Sequence, residues 1–203
     1  MATYSEMQTR IADELARTDL TEQIKKAILS AVEFYKDDRF WFNEGEVSLT
    51  TADGTESQAM DVTFGEIDEK TITISGNRYP LKLVSYSELR RSVLLTTSKG
   101  QPGRIAIFDE KVWYDPVSDG IYTVKLSGLV YFTTLSVGSD TNAWTTEAEQ
   151  LIRHHAKADL FANIIRNDKE AQKMIGLSDA LLSKLKQKTV QKIGSGRLKA
   201  TSF

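Results

Sequence analysis

A chain of 203 residues with 40% hydrophobic and 27% charged side chains is long enough to bury a core in one or two domains. A net charge of −2 excludes a bulk electrostatic grip on nucleic acid, and the lack of cysteine excludes a disulfide framework and thiolate chemistry. The charge is unevenly spread, with eleven Lys/Arg against six Asp/Glu from Thr145 onward but fifteen against twenty-two before it. No run approaches the roughly 20 apolar residues of a membrane helix, and the opening MATYSEMQTR has no signal-peptide pattern. A soluble protein made in the cytoplasm is expected.

In chain order, Thr3 and Glu6 form a capping-box pair, and Tyr4, Met7, Ile11 and Leu15 recur at helical spacing, predicting a helix over about 4–16. Asp19 and Glu22 repeat the capping signal. Leu20, Ile24, Ala27, Ile28, Ala31 and Tyr35 then make one apolar stripe to about Asp37, so the two helices read as a hairpin. Phe40, Trp41 and Phe42 are consecutive aromatics and read as a plug beneath the helix end.

The period then changes. Glu46–Thr51 and Met60–Phe64 read as short strands around the turn-rich Ala52-Asp53-Gly54. Thr71–Ile74 alternates, Gly76-Asn77 supplies a two-residue turn, and Tyr79, Leu81 and Leu83 resume the alternation. Ser85 caps a short helix to Ser92, and Lys99–Gly103 reads as a loop. Arg104–Phe108 and Lys111–Tyr114 pair about Asp109-Glu110, and the longest strand carries Tyr122, Val124, Leu126, Val130 and Phe132 on one face, with Gly128 in phase.

Helix returns with Thr146 and Glu149 as its cap and Leu151, Ile152, Ala158, Phe161, Ala162 and Ile165 as its face. Asn167 and Glu170 open a last helix. Ala171, Met174, Ile175, Ser178, Leu181, Leu182 and Leu185 keep register straight through Gly176, so one helix is predicted from about 168 to 190. The fold class is α+β: a bundle of about four helices, an inserted antiparallel β-domain and an extended C-terminal arm. The expected divisions are 1–44 for the helical hairpin, 45–135 for the insert, 145–192 for helices packing with the first pair, and 193–203 for the arm.

Chemistry is sparse. No HExxH, P-loop, GxSxG or paired-glycine fingerprint occurs. His154 and His155 are adjacent on one helix, about 100° apart, and do not chelate one metal well. No catalytic residue, cofactor or metal is expected. The segment Lys184–Phe203 holds six basic residues and no acid. It reads as an arm that orders on a partner. With no aromatic before Phe203 it lacks a stacking platform for nucleic acid.

Several segments in order resemble head–tail adaptor proteins of short-tailed bacteriophages. They are YSEM (4–7), RIAD (10–13) and RTDLTEQI (17–24), then ITISGNRYPL (72–81) with VSYSELR (84–90). GRIAIF (103–108), DGIYTVKL (119–126), TNAW (141–144), LKQKT (185–189) and GRLKATSF (196–203) follow. The resemblance implies a structural, non-enzymatic virion protein that forms a homo-oligomeric ring, typically twelve-fold, below the portal protein. Such a ring extends the DNA channel, through which genomic DNA passes without sequence-specific binding, and carries tail nozzle and tail fibre proteins. A head-completion or stopper protein, a tail-tube component and a small phage DNA-binding protein are the alternatives. On the adaptor reading the portal-binding residues are Lys188, Lys192, Gly194, Gly196, Arg197, Leu198, Lys199, Thr201, Ser202 and Phe203. Arg197 and Lys199 would meet acidic groups, and Phe203 would be an apolar anchor.

Overall fold

The computed structural model describes residues 2–95 and 98–193. The chain forms two compact units, one from 1–43 together with 132–203, the other Glu44–Tyr131. Helices and sheets together make an α+β fold.

In the helical unit, α1 (Tyr4–Leu15) starts at Thr3, whose side chain accepts from the Glu6 backbone while Glu6 accepts from the Thr3 backbone. Its next free amides, on Tyr4 and Ser5, donate to the carbonyls of Asp140 and Gly138, so a distant loop completes the cap. Ala16, in the left-handed region, ends the helix. The second helix, α2 (Thr21–Tyr35), departs from the sequence expectation at its start. Leu20 is its N-cap, without a side-chain bond, because Asp19 is taken by Arg17 through two bonds of 2.7 Å.

A short α4 (Ala143–Thr146) is capped by Asn142, and α5 (Glu149–Leu160) follows from Ala148. Thr146 therefore does not cap the third long helix as its spacing with Glu149 predicted. Its hydroxyl donates to the Asn142 carbonyl inside the preceding turn. Beyond Leu160 the helix widens into a π turn, Phe161–Ile165, closed by Arg166 in the left-handed region. That widening takes Phe161, Ala162 and Ile165 off the buried face, which runs instead through Leu151, Ile152, Ala156 and Leu160. The last helix, α6 (Asp168–Ile193), passes through Gly176 without a break, and a Cβ there would meet nothing within 4 Å.

Tyr4, Met7 and Ile11 of α1, Ile24, Ile28 and Tyr35 of α2, and Leu151 and Ile152 of α5 share one core, with Leu181, Leu182 and Leu185 of α6 against it. Each fully buried side chain of this size contributes about 1.5–3 kcal/mol. Phe40, Phe42, Phe132 and Trp144 close the core as an aromatic cluster with centroids 5.0 to 6.4 Å apart.

The β-unit contains β1 (Glu44–Thr50), β2 (Ser57–Ala59), β3 (Thr63–Ile74), β4 (Asn77–Pro80), β5 (Lys82–Leu83), α3 (Tyr86–Leu95), β6 (Lys99–Gly100), β7 (Arg104–Phe108), β8 (Lys111–Asp115), β9 (Val117–Ser118) and β10 (Thr123–Tyr131). β6 and β9 form a two-stranded sheet; of the two four-stranded sheets, one has the order β1-β10-β3-β4 and the other β2-β8-β7-β5. Between them lie Val47, Ile72, Ile105, Val112, Tyr114, Val124 and Leu126.

Three expectations change here. Of the expected strand Met60–Phe64 only Thr63 and Phe64 are strand; Met60–Val62 is a bend leading into β3, the longest strand, whose charged stretch Glu66–Lys70 is held by backbone pairing with β10 rather than by apolar alternation. The hairpin turn is Ser75-Gly76, both at positive φ, with Ile74 opposite Asn77. The insert is also not wholly antiparallel. Lys82–Leu83 pairs parallel with β7, and Lys99–Gly100, expected as loop, pairs parallel with β9. The chain changes sheets at Leu81, whose amide donates to the Lys70 carbonyl while the next amide donates to Gly103. That crossing is why Leu81 is buried and Leu83 is exposed.

Candidate docking surface

The helical unit has one surface where charge, an aromatic ring and a concavity meet. It is built on α6. Thr189 faces inward and is nearly buried, its hydroxyl donating to the Leu185 carbonyl at 2.9 Å and accepting from the Trp41 amide at 3.3 Å. This pins the segment after α2 to the end of α6. Phe40 and Phe42 enter the core, while the Trp41 ring, edge to face with Phe42 at 5.0 Å, lies under α6.

Lys188 and Lys192, one turn apart, both place Nζ over that indole, at 4.2 and 4.4 Å from its centroid. Lys188 also reaches Glu147 at 3.4 Å, and Lys186 pairs with Asp38 at 2.7 Å. Among the described residues Lys184 and Lys192 have no carboxylate partner.

Beside this stripe a groove of about 590 Å³ opens between the first turn of α5 and α6, with Ala148, Leu151, Leu181 and Leu185 as apolar lining and Lys184 and Lys188 along one side. Its other acid, Glu149, is occupied by Arg10 at 2.7 Å and Arg153 at 3.1 Å. Arg153 and Lys157 in turn hold Glu14 of α1, a network tying α1 to α5.

Of the expected portal-binding residues, Lys188 and Lys192 lie in regular helix on Trp41. Gly194, Gly196, Arg197, Leu198, Lys199, Thr201, Ser202 and Phe203 lie outside the described residues. Trp41 and Glu147 were not expected to belong with them, and Lys184 was expected in the basic arm segment but not among the portal-binding residues. The faint signal was Trp41, the one member of the aromatic triplet that the core did not need.

His154 and His155 sit half-buried on α5. Burial lowers both below the ordinary imidazole value, and Lys157 and Arg153 add to this at His154. His155 Nδ1 shares a hydrogen bond with the Tyr35 hydroxyl at 2.9 Å, and the ring lies against Phe34. No group of three or more acidic or histidine side chains is placed to hold a metal among the described residues. No helix among them is long and apolar enough to cross a membrane.

The fold is α+β, a helical unit with an inserted β-unit, and its candidate surface lies on the basic, groove-bearing last helix. Residues 2–198 match the SU10 adaptor protein family, and the chain belongs to that family of phage structural adaptor proteins. No curated protein matches the chain.

Proposed function

We propose that the chain is a head–tail adaptor that assembles as a ring, typically twelve-fold, beneath the portal. In that place it extends the DNA channel and offers the platform on which tail nozzle and fibre proteins attach. The family match across residues 2–198 carries this reading. The charge distribution supports it. A body with fifteen Lys/Arg against twenty-two Asp/Glu over its first 144 residues suits a wall past which DNA slides, because accumulated positive charge is what holds phosphates. A closed ring needs one heterologous contact repeated with closure, which a chain with distinct helical and β surfaces can supply.

The portal-binding element is the end of α6 and the segment after it. Lys188, Lys192, Arg197 and Lys199 meet acidic groups, and Phe203 anchors in an apolar site. Electron microscopy of the purified protein with and without the portal tests the assignment. Rings are expected on the portal, and particles that ignore the portal overturn it. Deleting 194–203 is expected to leave the helical signal unchanged and to abolish attachment. A truncated protein that attaches as well as the full chain removes the terminal segment from the interface.

A further inference from the structure

We propose that the groove between α5 and α6 seats an acidic peptide segment of a second protein, whose carboxylates lie along Lys184, Lys188 and Lys192. This deepens the docking reading above, and rests on it, by giving the partner's chemistry and the place where it is held. Lys184, Lys188 and Lys192 are four residues apart, so they form one stripe about 12 Å long on α6. Of the three ammonium groups on that stripe only Lys188 has a carboxylate, Glu147 at 3.4 Å, while Glu149 across the groove is already neutralised by Arg10 and Arg153. The result is an excess of positive charge beside an apolar lining of Leu151, Leu181 and Leu185.

The arrangement at Trp41 adds to this. Two like charges lie within 4.4 Å of one ring centroid, so each weakens the hold of the other. A carboxylate placed between Lys188 and Lys192 removes that repulsion and keeps both contacts with the ring. Three acids each four apart on a partner helix span about 12 Å and match the stripe, as do acids about four residues apart on an extended segment, which span about 13 Å.

Other occupants fit less well. The chain's own segment 194–203 carries Arg197 and Lys199 and no acid, so it has the wrong sign. A nucleic acid has the right sign but needs rings for its bases, and the Trp41 ring has both lysines over it.

The test uses the full-length protein and a fluorescein-labelled twelve-residue peptide of Glu and Leu, with a Lys/Leu peptide as its opposite. Fluorescence anisotropy is expected to show binding of the Glu/Leu peptide alone, weakened by salt. Lys184→Glu with Lys192→Glu, both at exposed positions, should weaken it at least about tenfold. Lys169→Glu with Lys173→Glu, the same charge change at the other end of α6, should leave it unchanged. Equal binding to both variants, or none to the wild type, overturns the proposal. So does a single-stranded oligonucleotide that outcompetes the peptide, or an oligomer of the protein alone that Lys184→Glu with Lys192→Glu dissolves. Portal attachment measured in parallel separates the two readings. Peptide binding without portal attachment leaves the groove standing and removes the portal; attachment that survives the reversal does the opposite.

Discussion

At the scale of single residues, two glycines of one chain have opposite meanings. A Cβ on Gly128 would lie 2.1 Å from the Glu66 carbonyl oxygen and 3.0 Å from the Ile67 Cα, both backbone atoms that cannot step aside. The residue sits where the β3–β10 register shifts, so its lack of a side chain is what lets the strands approach. Gly128→Ala is expected to destabilise the β-unit by about 2–3 kcal/mol, read as a lower urea midpoint; an unchanged midpoint would contradict the register. The histidines give a second prediction. Their native titration lies below the ordinary value, so the unfolded chain takes up protons near pH 6.5 while the native protein takes them up at lower pH. Stability is therefore full above about pH 7 and falls as pH drops through that window. Asp19, held down to about 2 by hydrogen bonds from Arg17, with Glu22 and Asp140 also lowered, contributes a separate loss that starts below about pH 4–5. Urea titrations at pH 7 and pH 5 should show the drop. His154→Gln with His155→Gln should flatten it, and a slope unchanged in that variant would assign it elsewhere.

At the scale of elements, α6 is the instructive case. An apolar face kept in phase across Gly176 outweighs the local cost of glycine, because burial of that face against α5 fixes the helix on both sides of residue 176. With nothing within 4 Å of the added methyl, Gly176→Ala should stabilise by about 0.5–1 kcal/mol in thermal or chemical melts. A loss instead would mean that the helix needs a break there. The β7–β8 turn behaves differently. Asp109 and Glu110 both stand at positive φ, a geometry usually given to Asn-Gly or Asp-Gly, and the paired strands on either side enforce it.

At the scale of the whole molecule, the β-unit has its own core and both its ends on neighbouring strands. Glu44 opposes Leu129 in the β1–β10 pair, so the chain enters and leaves at adjacent points. Such an insert can be cut out without stretching the remainder. Residues 44–131 expressed alone are expected to melt in one cooperative transition with a β-rich circular dichroism spectrum. A non-cooperative or unfolded product would show that the insert depends on the helical unit. The adaptor assignment belongs at this scale too, since it rests on a family match along nearly the whole chain and on no single catalytic or ligand site.

The sequence by itself determined the elements whose signals are local. Helical periodicity marked α1, α2 and α6, alternation marked β7, β8 and β10, and side-chain oxygens at Thr3, Ser85 and Asn167 set three helix starts. What only the tertiary structure decided involves partners far apart in the chain. The caps of α2 and α5 stand apart from these, because the partners that displaced them are local: Asp19 pairs with Arg17 two residues away, and Thr146 bonds the Asn142 carbonyl four residues away. The charged half of β3 became strand because β10 offered it a backbone ladder. Lys188 and Lys192 gained their shared ring from Trp41, 148 residues before the Thr189 that holds it. Such pairings depend on which surfaces meet once the core has formed, and periodicity along one segment carries no record of them.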